Sequence, residues 1–236
     1  MDVRLTVIGS SPAWPNPGSA QSGYLVEGES ALLLDCGPGV LGRLRELGLH
    51  PHSIAITHFH LDHWGDLVPW AWLNAFGPQE HRMECSLWLP PGGKDQLHEF
   101  ASRWGNDNMF EEAFGLNEFE PGVPFTAAGF EVEACGLPHY DLTSHGFRVT
   151  HNGTTLAYSG DSAPTDELAA LARGADLFLC EATLADSGSD GLPRGHLSAE
   201  EALAAADGPI LLTHRPVELP PPDDVPVAHD GLVVEL

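Results

Sequence analysis

Positive charge is scarce in this chain. Its 236 residues include 10 lysines and arginines against 34 aspartates and glutamates, Lys94 is the only lysine, and the formal net charge is −24. Proteins that hold long nucleic acids do so mainly by neutralising phosphates with lysine and arginine, so such a partner is not expected. Solubility is the simplest explanation of the acidity, although bound metal cations could create a local positive well. The balance favours a small or short anionic substrate.

Long apolar segments are also missing. No apolar run approaches the roughly 20 residues that cross a bilayer, so a membrane partner is not expected. Residues 1–9 alternate like a first strand and lack the apolar core of a signal peptide, which makes the cytoplasm the expected location. Because no linker, low-complexity stretch or repeat divides the sequence, we expect a single domain over residues 1–236.

The cysteines lack the spacing of a metal knuckle or a disulfide framework. They are widely separated and form no C-x-x-C pair: Cys36, Cys85, Cys135 and Cys180. Three of them lie in apolar, strand-like segments. Buried free thiols are therefore the expectation for this chain.

Strand patterns come first in the chain and then alternate with helical ones. Strand-length apolar runs recur from residues 3–8 to residues 232–235, among them 23–27, 86–89, 130–135, 177–181 and 210–213, and helical periodicity appears at five places between residues 40 and 206. This order indicates sheets whose outer faces are covered by helices. Segment 104–119 is rich in aromatic residues but lacks clear periodicity, so a lid over a pocket and a dimer contact both remain open for it.

The most informative segment holds four candidate metal ligands within six residues. His58, His60, Asp62 and His63 follow the apolar run 54–56, which is typical of a strand that ends in a turn and a helix. Alternation sends the first two side chains the same way, while the last two can turn toward a second position. This arrangement suits two adjacent cations better than one. Imidazole and carboxylate without thiolate form a ligand set for zinc, manganese or iron.

Three further candidate ligands follow strand-like runs. His139, Asp161 and His214 each lie just past such a run, where catalytic groups gather on sheet scaffolds. Taken singly, each could instead be a cap or a turn former. Together, and in this order behind the first motif, they could complete two coordination spheres.

The pattern H-x-H-x-D-H at residues 58–63, followed by His, Asp and His, resembles the signature of the metallo-β-lactamase superfamily. The resemblance covers nearly the whole chain. It implies an α+β fold, a four-layered αβ/βα sandwich in which two mixed sheets are flanked by helices. It also implies two divalent metal ions between the sheets, with zinc expected and manganese or iron as alternatives.

The resemblance assigns the ligands to the two ions. The first ion would be bound by three histidines: His58, His60 and His139. The second would be bound by a carboxylate and two histidines: Asp62, His63 and His214. Asp161 would bridge both. Within residues 32–37, Asp35 resembles a family aspartate that orients the first motif by hydrogen bonds, although a plain turn-forming aspartate is the alternative.

Segment 195–202 indicates the branch of the superfamily. It resembles the H-S/L-T/S-A-x-x-A segment of ribonuclease Z-like phosphodiesterases, whose histidine lies beside the leaving group. His196 would then protonate a departing alkoxide, although it could merely introduce a helix. A histidine at position 60 disfavours flavo-diiron chemistry, and an aspartate at position 161 disfavours the antibiotic-degrading branch. His196 and Asp62 are the candidate catalytic residues.

The spacing between two of the candidate ligands narrows the range of substrates to be expected. Only 21 residues separate His139 from Asp161, too few for the tRNA-gripping arm that ribonuclease Z enzymes carry there. What remains resembles compact cyclic-nucleotide phosphodiesterases, so the hypothesis is hydrolysis of a small phosphodiester such as 3′,5′-cyclic AMP. A lactonase, a thioesterase, a tRNA 3′-end processing enzyme and a non-catalytic metal-binding protein are the alternatives. Family members often pair, which leaves a homodimer open.

Side chains near the motif could shape its surroundings. Phe59 and Trp64 are close enough in sequence to form the mouth of a pocket, where an aromatic face could stack a nucleobase. His145 could line that pocket or occupy a turn. Arg194 could touch a phosphate, with a solvated loop arginine as the alternative.

Overall fold

The computed structural model describes residues 3–236, and its first sheet is built mainly from the N-terminal half. Its seven strands are β1 (Arg4–Gly9), β2 (Gly23–Glu27), β3 (Ala31–Leu34), β4 (Ser53–Ala55), β5 (Ser86–Leu89), β6 (Gly115–Glu118) and β13 (Val233–Glu235). They lie in the order β13-β1-β2-β3-β4-β5-β6. The pairs from β13 to β3 are antiparallel, and the pairs from β3 to β6 are parallel.

The second sheet comes from the C-terminal half. Its six strands are β7 (Phe125–Ala127), β8 (Phe130–His139), β9 (Leu142–His151), β10 (Thr154–Tyr158), β11 (Leu177–Glu181) and β12 (Ile210–Thr213). They lie in the order β12-β11-β10-β9-β8-β7. The meander from β7 to β10 is antiparallel, and β10, β11 and β12 pair in parallel. Both sheets are therefore mixed.

Helices cover the outer face of each sheet. The helices are α1 (Val40–Leu47), α2 (Leu61–Trp64), α3 (Leu67–Phe76), α4 (Gly93–Ser102), α5 (Met109–Ala113), α6 (Asp166–Ala172) and α7 (Ala199–Ala205), with a 3₁₀ turn at Gln79–His81. Helix α7 begins with a capping box, in which the Ser198 hydroxyl accepts from the Glu201 amide and the Glu201 carboxylate accepts from the Ser198 amide.

Three apolar cores separate the layers. The central core lies between the sheets, a second lies under α1, α3, α4 and α5, and a third lies under α6 and α7. Strand β3 shows the cause, because successive side chains of a strand point to opposite faces. Leu32 and Leu34 enter the core between the sheets, and Leu33 enters the core under the helices. These layers confirm the predicted α+β four-layered sandwich.

Segment 104–119 forms α5 and the edge strand β6. Its side chains Phe110, Phe114 and Phe119 are buried within the fold, whereas Trp104 is exposed. Short, irregularly spaced elements explain the missing periodicity. Strand β8 is longer than the predicted 130–135 and extends through His139, which is its last residue and does not lie beyond it.

Two expectations from composition can be compared with the structure. All four cysteines are free, with Cys36, Cys85 and Cys180 buried and Cys135 half-buried. Within residues 3–236, no helix combines the length and apolar character that crossing a membrane requires.

Candidate metal centre

The first sheet contributes four of the seven predicted ligands from one short segment. His58 and His60 lie in the loop after β4, and Asp62 and His63 lie on the single turn of α2. The loop leaves the parallel side of the sheet at its carboxyl end, a position where functional groups of α/β sheets gather. His58, Asp62 and His63 are buried, and His60 is half-buried.

The second sheet contributes the other three ligands from three strands. His139 ends β8, Asp161 follows β10 after a short turn, and His214 directly follows β12. His214 has a φ of 53°, in the left-handed region that non-glycine residues seldom adopt. All three side chains are buried. The two sheets thus present their ligands to one another at the same end of the sandwich.

One group of potential ligands consists of three histidines and the shared aspartate. Ligand atoms of His58, His60, His139 and Asp161 lie within 4.8 Å of one another. The His139 Nε2 and His60 Nδ1 atoms face each other at 2.9 Å, and His58 Nε2 is 3.9 Å from an Asp161 oxygen. Burial lowers the pKa of all three imidazoles, which favours the neutral form that binds metal.

The second group combines two carboxylates and two histidines. Ligand atoms of Asp62, His63, Asp161 and His214 also lie within 4.8 Å of one another. Asp62 Oδ2 is 3.1 Å from His214 Nε2 and 3.3 Å from His63 Nε2. Asp161 Oδ2 is 3.3 Å from His63 Nε2, and Asp161 Oδ1 is 3.6 Å from His214 Nε2. Asp161 therefore belongs to both groups.

Unpaired atoms show that the cluster fits cations. Among the described residues, His58 Nε2, His63 Nε2 and Asp161 Oδ1 are buried without a hydrogen-bond partner. Burial alone would raise the pKa of Asp161, but His214 and His63 outweigh it and lower that pKa well below its usual range. A buried anion facing ligand lone pairs is costly unless a positive charge lies between them. The cluster is able to bind metal ions.

Asp35 supports the first loop. Its carboxylate accepts hydrogen bonds from the Thr57 amide and hydroxyl at 2.8 and 3.0 Å, from His63 Nδ1 at 2.7 Å and from the Tyr158 hydroxyl at 2.7 Å. Since the Thr57 hydroxyl donates to Asp35, it accepts from His58 Nδ1 at 3.0 Å. Both ligand histidines therefore carry their free lone pair on Nε2, toward the centre of the cluster. Asp35 itself has a φ of 60°.

The turn after Asp35 also holds the ligand loop through its backbone. The Cys36 amide donates to the His63 carbonyl at 2.7 Å, and the Asp66 amide donates to the Cys36 carbonyl at 3.0 Å. A Cβ on Gly37 would lie 2.0 Å from the Asp62 carbonyl oxygen, so only glycine permits this approach. The supporting role predicted for residues 32–37 thus involves main-chain contacts as well as the Asp35 side chain.

The remaining ligand histidines have partners from the second sheet. His139 Nδ1 donates to the Gly195 carbonyl at 2.6 Å, which leaves its lone pair on Nε2. His214 Nδ1 donates to the Thr183 hydroxyl at 2.8 Å, and that hydroxyl donates to Glu181 Oε2 at 2.8 Å. Each fixes the tautomer in which Nε2 faces the other ligands.

Glu181 is a site residue that the sequence analysis missed. It is fully buried at the end of β11, and its Oε1 accepts from His196 Nδ1 at 2.9 Å. Burial lowers the pKa of His196, but the Glu181 carboxylate outweighs burial and raises that pKa to about 9. The signal was present in the sequence, because Glu181 ends an apolar run just as Asp161 and His214 follow theirs.

His196 lies beside the cluster. Its Nδ1 is 3.9 Å from an Asp161 oxygen, and its ring stacks on His214 with centroids 5.6 Å apart. Arg194 has a different role from either one considered for it. It donates twice to Glu201 at 2.6 and 2.8 Å and once to the His196 carbonyl at 3.1 Å, so it stabilises the segment that presents His196.

Comparison with known proteins identifies the family. The model of the beta-lactamase superfamily domain matches residues 31–209, which is most of the chain. The chain therefore belongs to the metallo-β-lactamase superfamily, and it is a metal-dependent hydrolase.

Three relatives place it more closely. An uncharacterized protein of Mycobacterium tuberculosis (strain H37Rv) is 34% identical over 92% of this chain and 82% of its own length. The probable metallo-hydrolase YhfI of Bacillus subtilis is 30% identical over 91% and 87% of the two chains, and its crystal structure matches with a TM-score of 0.82 over all of both chains. Ribonuclease Z of Mycobacterium bovis is 26% identical over 90% and 85%. These relatives confirm the predicted superfamily and its ribonuclease Z-like branch.

Proposed function

We propose that this hydrolase cleaves small phosphodiesters with the help of two divalent metal ions, with 3′,5′-cyclic AMP as the type of substrate. The observation that carries the proposal is the pairing of His196 with Glu181 beside the ligand cluster. A charged imidazole is of use where a poor leaving group must be protonated, as in the release of an alkoxide from phosphorus. Relatedness to ribonuclease Z supports phosphodiester chemistry.

The ligands divide between the ions as their two spatial groups suggest. One ion would be held by three histidines: His58, His60 and His139. The other would be held by Asp62, His63 and His214. Asp161 would be shared. When bound, the ions supply positive charge that acidifies water and offsets charge on the phosphoryl oxygens. Zinc is the ion we expect from this set, with manganese and iron as alternatives.

The chain's own side chains then have distinct tasks. Asp62 would bind the second ion together with His63 and His214, whose Nε2 atoms lie 3.3 and 3.1 Å from its Oδ2. Burial raises the pKa of Asp62, but His63 and His214 outweigh it and lower the pKa below its usual range. His196 holds a proton near neutral pH because Glu181 stabilises its charge, and Nε2 is the nitrogen left to donate that proton to the leaving oxygen.

A small substrate suits the surroundings of the cluster better than a transfer RNA. The 21 residues between His139 and Asp161 are used by the hairpin strands β9 and β10, which leaves no room for an RNA-gripping arm there. The net charge of −24 also opposes a long polyanion. Because each ligand group takes residues from both sheets, we infer that residues 1–236 act as one domain.

Hydrolysis assays with defined metals test this function. Protein loaded with zinc, manganese or iron should hydrolyse bis(p-nitrophenyl) phosphate and 3′,5′-cyclic AMP, and chelation should abolish both activities. Turnover of a lactone or thioester without either phosphodiester would instead favour those hydrolase alternatives. A fully loaded protein that turned over none of these substrates would favour a non-catalytic metal-binding role.

A further inference from the structure

A cleft of about 400 Å³ opens directly beside the metal centre. His58 forms part of its wall, so the cleft adjoins the group of three histidine ligands. Its other walls come from the loop after β5, with Pro91, and from the start of β9, with Leu142. This volume lies in the range of small-molecule sites.

The cleft is apolar and uncharged. Phe59, Pro91, Pro121 and Leu142 are among its lining residues, and among the described residues that line it none is a lysine, arginine, aspartate or glutamate. A second phosphate group would find no cation there and would lose its hydration without compensation. The cleft therefore suits an uncharged part of a substrate whose phosphate lies at the metal centre.

One wall of the cleft is a fixed aromatic ring. Phe59 lies between two ligands in sequence, and it packs in a T-shape with Trp64 at a centroid distance of 5.7 Å. The Cε2–Cζ edge of the ring rests over Gly93, where an added Cβ would come within 3.0 and 3.1 Å of these two atoms. The ring also lines the cleft, and stacking on an aromatic ring is favourable for any base.

Another residue that lines the cleft, His145, offers a hydrogen-bond acceptor. His145 Nδ1 donates to the Thr57 carbonyl at 2.9 Å, since a carbonyl oxygen only accepts. Burial lowers the pKa of His145, which favours the neutral ring with its lone pair on Nε2. Within residues 3–236, Nε2 has no hydrogen-bond partner and is not among the fully buried unpaired atoms, so it is open to the cleft.

Building on the phosphodiesterase function proposed above, we propose that this cleft binds the nucleobase of a nucleoside phosphodiester, with Phe59 stacking on the base and His145 Nε2 accepting a hydrogen bond from an exocyclic amino group. Adenine has both the flat surface and the amino group. His145 thus acts as a specificity-determining residue and not as a catalytic one.

Inhibition by two phosphates tests the stacking part. Methyl p-nitrophenyl phosphate, which has no base, serves as the reporter substrate for the metal-loaded protein. Adenosine 5′-monophosphate should inhibit its hydrolysis at a concentration about tenfold lower than ribose 5-phosphate does, because only the former can occupy the cleft. Equal inhibition constants would overturn the base site while leaving the phosphodiesterase function intact. Absence of reporter hydrolysis would refute the function, and the base site with it.

A comparison of two nucleotides that differ only in the amino group of the base tests the role of His145. The wild type should bind adenosine 5′-monophosphate about five- to tenfold more tightly than the purine ribonucleoside 5′-monophosphate that lacks the 6-amino group. His145→Phe should remove this preference and leave inhibition by ribose 5-phosphate unchanged, whereas His151→Phe, on the same strand outside the cleft, should keep it. A wild type without the preference would overturn the hydrogen bond even if the variant failed to fold.

Discussion

Asp35 and Glu181 are buried carboxylates with comparable positions and different roles. Each is fully buried, each comes at or just after the end of a strand, and each accepts a hydrogen bond from the Nδ1 atom of a histidine. Asp35 belongs to the first sheet and binds His63. Glu181 belongs to the second sheet and binds His196. The chemistry of the two contacts is the same, so the difference between them must come from the other nitrogen of each ring.

The surroundings of the Nε2 atom differ between the two histidines, and this difference separates the roles of the two carboxylates. His63 is completely buried, and its Nε2 lies 3.3 Å from oxygens of both Asp62 and Asp161, among the other potential ligands. Asp35 therefore orients a ligand. His196 Nε2 makes no hydrogen bond to the part of the chain that the structure describes, and Glu181, which accepts from Nδ1, raises the pKa of the ring to about 9. This arrangement is the basis of the proposed role of His196 as a proton donor. We expect loss of Asp35 to affect metal binding and loss of Glu181 to affect proton transfer.

The largest effect should follow removal of the ligand that both groups share. Asp161→Ala should reduce phosphodiester hydrolysis below detection and lower the metal content from two ions per chain to one or none, because among the described residues Asp161 is the carboxylate common to the two groups. Elemental analysis by mass spectrometry measures the content, and Asp223→Ala, at an exposed position, is the control. Full metal and full turnover in Asp161→Ala would show that this assignment is wrong.

Removal of His196, the proposed proton donor, should slow the hydrolysis of two substrates to different extents, because their leaving groups differ. His196→Ala should slow hydrolysis of 3′,5′-cyclic AMP about 100- to 10,000-fold, the range for general acid catalysis. Hydrolysis of bis(p-nitrophenyl) phosphate should change by less than about tenfold, because p-nitrophenolate leaves without a proton. Steady-state kinetics on the two substrates measure the ratio. Equal losses on both would mean that His196 is not the acid.

Matched amide variants separate the two carboxylates. Asp35→Asn should weaken metal binding about 10- to 100-fold, as measured against a competing chelator, because a supporting acceptor is lost. Glu181→Gln should weaken it less, yet it should reduce the ratio of cyclic AMP to bis(p-nitrophenyl) phosphate turnover in the direction of His196→Ala. If Glu181→Gln lost as much metal as Asp35→Asn, the contrast between the two carboxylates would be refuted.

The smallest effect should follow loss of one donor to Asp35. Tyr158→Phe removes a buried hydroxyl but leaves the Thr57 and His63 contacts, so the free energy of unfolding should fall by about 0.5–1.5 kcal/mol. Urea denaturation measures it. Tyr24→Phe is a matched control, since its hydroxyl contacts Thr213 at 2.7 Å and not Asp35. Metal affinity should stay within about threefold of the wild type in both variants; a loss like that of Asp35→Asn would contradict this.

Much of the fold could be predicted from residue patterns, and the failures have physical causes. Strands β2, β5, β11 and β12 were predicted with their observed bounds, since each coincides with an apolar run. Such runs are typical of strands buried on both faces, as β2, β11 and β12 are, whereas alternate residues of β5 are only half-buried. Strands β6 and β7 were missed because both lie at sheet edges and most of their side chains are exposed or half-buried. The end of β8 was missed because the residues just before His139 include Gly136 and Pro138, and glycine and proline usually interrupt a strand.

The site, like the fold, could be predicted only in part. The motif at residues 58–63 indicates where the potential metal ligands lie, and the structure brings the seven ligand candidates of the resemblance close together. Glu181 was not predicted, because the ligand pattern in the sequence does not include the residues that orient a histidine by hydrogen bonds. The cleft beside His58 could not be predicted, since Phe59, Pro91 and Leu142 are far apart in sequence and are joined only by the packing of the two sheets.

The way the ligand groups are assembled has a mechanical consequence. Each group draws its members from both sheets, and the chain has no disulfide among its cysteines. Bound ions would therefore act as the cross-link that ties the two halves of the polypeptide at this end of the sandwich. Removing them should loosen that edge first, so that hydrogen exchange rises in the loops after β4, β10 and β12 before the apolar interior opens.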